Sequence, residues 1–107
     1  MRPLSEVLID LIGFTEETIT RPSRYHGFVV DQRFADLAAE VRHADARPAE
    51  GPRTTRAAMV VVIAIEAFFA TDRPPTSPCL MVAGAALPWL RGEAWTAMTN
   101  EKAARAS

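Results

Sequence analysis

The chain has 107 residues, with 12 basic and 13 acidic side chains and a net charge of −1, so its overall balance favours neither nucleic acid nor an anionic membrane surface. About half of it is apolar (49%), enough for one compact core at this length and little more. The single cysteine, Cys79, rules out an intrachain disulfide and a cysteine cluster for zinc or iron–sulfur; it suits a reducing compartment, so the cytoplasm is the expected location.

Taken from the start, Leu4, Val7, Leu8, Leu11 and Ile12 fall at helical spacing, Ser5 is placed to cap, and Gly13 ends the pattern. Glu6 and Asp10 interrupt the apolar run that a secretory signal needs. Thr15 is expected to cap a second helix, with Glu16 and Glu17 in its first turn where the helix dipole favours negative charge, and Pro22 stops it. Residues 1–20 carry Arg2 against four acids, whereas 21–56 carry seven arginines against five acids. From Val30 to about Ala46, Phe34, Leu37, Ala38 and Val41, then His43 or Ala44, outline another amphipathic helix.

Residues 47–53 hold two prolines and a glycine and read as a loop. Thr54 or Thr55 is placed to cap the run from Ala57 to Ala70, apolar all round except for Glu66 and expected to be a central helix. At 14 residues with a charge inside, it is shorter than the ~20 needed to span a bilayer. Val60-Val61-Val62-Ile63 also has strand propensity, so an α/β protein with strands at 60–65 and 80–82 stays open, although the length of the run favours helix. Residues 72–78, with three prolines, are a linker. Cys79 to Leu87 then gives a short apolar helix that Pro88 ends or kinks, and Trp89 to Ala106 a last one with Leu90, Trp95 and Met98 as its apolar residues. The expected fold is all-α, a small bundle of five or six helices.

Two blocks resemble the tetracycline-repressor (TetR/AcrR-type) family of bacterial transcription regulators. Where that family reads Ala-Gly-Val-Ser-x-x-Thr-Leu-Tyr-x-His-Phe, this chain reads Ile12-Gly13-Phe14-Thr15-Glu16-Glu17-Thr18-Ile19 and then Tyr25-His26-Gly27-Phe28, with five extra residues, Thr20 to Arg24, between. Where many members carry Asp-x-x-x-Pro-x-Gly-Cys-Leu-x-x-x-Ala-Leu, this chain reads Asp72-Arg73-Pro74-Pro75-Thr76-Ser77-Pro78-Cys79-Leu80, ending in Ala86-Leu87, with Pro78 where glycine is usual. The resemblance divides the chain into a degenerate helix-turn-helix remnant (1–28) and a helical ligand-binding and dimerisation-like region (29–107). It looks like a member trimmed at both ends.

That resemblance implies transcription regulation by effector-controlled DNA binding in a homodimer. It places DNA contacts on Thr15, Thr18, Tyr25 and His26. Met59, Ile63, Glu66, Phe69, Met81 and Trp89 are candidates to line a site for a small apolar effector between helices, although large apolar residues at such spacing are ordinarily core. Glu66 is either buried, paired with Arg56 or Arg91 or left neutral as the polar anchor of such a site, or it lies on a narrow exposed stripe, the commoner arrangement. The chain has no phosphate-cradling glycine loop, no metal-ligand spacing and no carboxylate pair placed for acid–base work, so neither a cofactor nor enzymatic activity is expected. The alternative is a helical interaction module that never touches DNA and pairs with itself or a partner through Trp89, Leu90 and Trp95.

Overall fold

The computed structural model describes residues 2–22, 28–47, 51–71 and 77–106. They form four helices: α1 (Leu4–Thr20), α2 (Phe28–Asp45), α3 (Gly51–Ala70) and α4 (Pro78–Ala106). No strand occurs among the described residues, so residues 60–65 and 80–82 are helical. The all-α expectation holds, whereas the expected count of five or six helices becomes four because two anticipated breaks are absent.

The first is Gly13, which lies inside α1. Leu4, Val7, Leu8, Leu11, Phe14, Thr15 and Thr18 form one buried stripe that passes it without a change of phase. Gly13 faces solvent, with open space where a Cβ would sit. Its helix-propensity cost of about 1 kcal/mol is outweighed by burying Leu11 and Phe14, at roughly 1.5–3 kcal/mol each. Thr15 therefore does not cap a helix; its hydroxyl donates to the Leu11 carbonyl at 2.7 Å, and that of Thr18 to Phe14 at 2.8 Å. The first helix likewise begins before Ser5, which sits in its first turn with Pro3 at the N-cap position.

The second is Pro88, which lies inside the 29-residue α4. Leu80, Ala83, Leu87, Leu90, Ala94 and Ala97 continue the buried stripe through it. Its ring is on the exposed side, so the fold loses one helical hydrogen bond while Leu87 and Leu90 stay buried.

The helices run alternately up and down. Arg2 reaches Glu40 while Phe14 meets Phe34, Asp45 meets Thr55 while Phe34 meets Phe69, and Ser5 meets Glu101 while Ile19 touches Gly84. Each pair of contacts makes the two helices antiparallel. α1 and α3 touch across the short diagonal of the bundle, while α2 and α4, at the far corners, do not meet. One core joins all four helices, so residues 4–20 share it with the region after residue 28. At one end Phe14, Phe34, Phe68 and Phe69 cluster with centroid spacings of 5.4 to 6.3 Å.

Candidate functional site

α4 has two faces of opposite character. Its inner side carries two glutamates, Glu93, only 4% exposed, and the half-buried Glu101. The Glu93 carboxylate accepts the Ala57 amide at 2.9 and 3.0 Å and the Ala58 amide at 3.3 Å, so α4 supplies an acceptor to backbone donors near the start of α3. One end further along, Glu101 accepts the Ser5 amide at 3.2 Å and its hydroxyl at 2.7 Å. Glu101 thus serves the first turn of α1, where the helix dipole favours negative charge, and Glu93 the amides of the seventh and eighth residues of α3. Removal from water pushes the Glu93 carboxyl above the usual glutamate range, against the opposing pull of the backbone amides and Arg56.

The outer face is the reverse. Met81, Ala85, Pro88, Gly92, Trp95 and Thr99 are all exposed and follow each other at spacings of 4, 3, 4, 3 and 4 residues, the rhythm of a helix seam that meets another helix. Val82, Trp89 and Thr96 flank it, also exposed. Trp95 is 70% exposed, Met81 72% and Trp89 47%. Thr96 and Thr99 donate their hydroxyls to the Gly92 and Trp95 carbonyls at 3.1 and 3.0 Å, so each satisfies its polar group within the helix and leaves its methyl as the apolar part. None of these nine residues is charged. Beside the seam an apolar groove of about 330 Å³ runs between α3 and α4, lined by Val60, Ile63, Ala64, Ala67, Pro78, Cys79 and Val82.

The residues expected to bind an effector do not converge. Ile63 lines the groove, but Met81 and Trp89 lie on the outer side of α4, Phe69 belongs to the aromatic cluster, and Met59 packs half-buried against the core. Glu66 is held by Arg42 through two hydrogen bonds of 2.6 and 2.9 Å on the α2–α3 surface. It is thus on an exposed stripe, with a partner other than the expected Arg56 or Arg91; Arg91 instead lies 3.4 Å from Glu16. Leu90, expected on an interaction surface with the tryptophans, is fully buried.

Of the residues expected to read DNA, Thr15 and Thr18 are fully buried, with their hydroxyls committed to α1 carbonyls. Tyr25 and His26 lie outside the described residues. A second cavity, about 200 Å³, opens between the start of α1 and the end of α2 on Leu4, Val7 and Ala44. Arg2, Arg47 and His43 also line it, and Arg2 is bridged to Asp10 and Glu40.

The buried glutamate is the feature that sequence reasoning missed. Its signal was its spacing, three residues after Leu90 and four before Ala97, on the buried stripe. Among the described residues, no three or more His, Cys, Asp or Glu side chains come together as a metal site, and no helix is long and apolar enough to cross a membrane. Comparison of the chain with protein-family models, with curated proteins and with solved structures finds no match.

Proposed function

We propose that this chain is a helical association module that docks another helical surface on the outer face of α4. The observation that carries the reading is the charge-free seam from Met81 to Thr99, with Met81 72% and Trp95 70% exposed on either side of its small central residues. A folded monomer rarely leaves so continuous an apolar stripe in water, and aromatic anchors such as Trp carry a large share of the energy of protein interfaces. The seam spacing suits a helix as its counterpart. No catalytic step is part of the proposal. The tetracycline-repressor-type resemblance contributes to it the pairing role of a helical regulatory half; DNA reading draws no support from the positions of Thr15 and Thr18.

The test is site-specific photo-crosslinking in the cells that make the protein. A crosslinker in place of Trp95 or Ala85 is expected to give discrete covalent adducts, and one in place of Asp36, exposed on α2, is expected to give none. Absence of adducts from both α4 positions would refute the module.

A further inference from the structure

We infer that the occupant of this face is a second copy of the chain, with α4 crossing its counterpart antiparallel about a two-fold axis near Pro88; the inference rests on the association reading above. Three observations point to it.

Charge comes first. The six seam residues and the flanking Val82, Trp89 and Thr96 are neutral, and Arg91, exposed on the other flank, lies 3.4 Å from Glu16 of its own copy, so a strongly acidic or basic partner would bury charges against a surface with little to pair them, at a cost that a neutral partner avoids. The same nine uncharged residues on a second copy meet that requirement.

The order of sizes comes second. Along the seam the small or compact residues Ala85, Pro88 and Gly92 lie between Met81 and Trp95. Gly92 has open space beyond its backbone. Two helices that cross at an angle approach most closely at the crossing point and diverge on either side. Small residues at the centre allow the close approach, and bulky ones at the ends fill the widening gaps. Residues 81 and 95 are equally far from 88, seven positions on each side. A two-fold axis at Pro88 therefore sets Met81 of one copy against Trp95 of the other, twice, the reciprocity that an isologous interface requires.

Area comes third. Met81, Val82, Trp89, Trp95 and the neighbouring Ile63 are 47% to 72% exposed and together present on the order of 700 Å² of largely apolar surface, close to the ~800 Å² per partner of a standard interface.

The test is sedimentation equilibrium of the full chain and three variants, with far-ultraviolet circular dichroism to confirm that each retains its helices. The wild type is expected to dimerise. Met81→Lys and Trp95→Glu, each placing an unpaired charge in the seam, are each expected to weaken dimerisation roughly thirtyfold or more. The double variant Met81→Lys/Trp95→Glu is expected to recover at least about tenfold of that loss, because each new Lys faces the new Glu of the other copy. A wild type that is monomeric at every concentration, a dimer indifferent to both single changes, or a double variant no better than the worse single one would overturn the two-fold antiparallel pairing. If the Trp95 crosslinks in cells then carry only the mass of a different protein, the second copy is refuted while the module stands; if there are no crosslinks, both fall.

Discussion

α2 and α4 occupy matching corners of the same bundle, each packed on α1 and α3 and each turning a broad face outward, yet those faces have opposite chemistry. α2 presents Gln32, Arg33, Asp36, Arg42 and His43 to solvent and ties itself to its neighbours by surface ion pairs, Glu40 with Arg2 and Arg42 with Glu66. α4 presents Met81, Val82, Trp89 and Trp95 and keeps Glu93 on its inner side. Both helices satisfy their inner faces on the same two neighbours, so packing within the bundle does not by itself call for an apolar outer face on the longer α4. A solvated corner needs charge; a corner that is covered in use does not. On this comparison α2 is the finished surface of the fold and α4 the one that awaits a partner.

The largest effect is expected from the inner face of α4. Glu93→Ala removes the carboxylate to which the buried Ala57 and Ala58 amides donate and empties its buried place, and is expected to cost about 3 kcal/mol in urea unfolding. Glu93→Gln keeps an acceptor oxygen and is expected to cost clearly less. Next in size is the contrast between the corners: Ala85→Glu should abolish association, whereas Ala39→Glu, on the exposed side of α2, should leave it unchanged when both are followed by light scattering at equal concentration.

A pH series sharpens the inner-face account further. The folded state holds the Glu93 proton more tightly than the unfolded chain does, so the stability linked to this group is complete below the ordinary glutamate pKa and is lost as pH rises through the raised one. Wild type should therefore lose stability relative to Glu93→Gln as pH climbs from the ordinary glutamate range, measured as the difference between their unfolding midpoints; a difference constant with pH would contradict the buried carboxyl. Breaking an α2 ion pair should do less: Arg42→Ala is expected to cost under about 1 kcal/mol, less still in high salt, because both partners are largely exposed.

The smallest effect decides the continuity of α1 by its sign. With Gly13 mid-helix and open space at its Cβ position, Gly13→Ala should stabilise the chain by about 0.5–1 kcal/mol in thermal or urea unfolding. If Gly13 instead closed a helix before a turn, as the helix-turn-helix resemblance requires, the same change would destabilise it.

Much of this fold was legible from spacing. The buried faces around Leu4 to Leu11, Phe34 to Val41 and Val61 to Phe68 follow directly from the pattern of apolar residues. The two breaks were misread because Gly13 and Pro88 carry strong local stop signals, whereas the burial of Phe14 and Thr18 beyond one, and of Leu90 and Ala97 beyond the other, is a property of the whole bundle. Had the apolar phase been followed across them, each helix would have read as continuous. The role of Glu93 was hidden for a different reason: its partners lie 35 and 36 residues away, and local sequence carries no mark of which amides a carboxylate will meet. Of the expected association residues, Trp89 and Trp95 are exposed and Leu90 is core, a distinction that the helical phase alone contains.

Trp89 and Trp95 are the only two tryptophans of the chain, and both lie exposed on the outer side of α4, so tryptophan emission reports on that face alone. The most direct measurement is therefore the emission maximum and acrylamide quenching of the full chain from nanomolar to high micromolar concentration. The account predicts water-exposed, readily quenched tryptophans when dilute, shifting to the blue and becoming protected as copies pair. Emission that stays red and fully quenchable over the whole range would contradict self-association through this face.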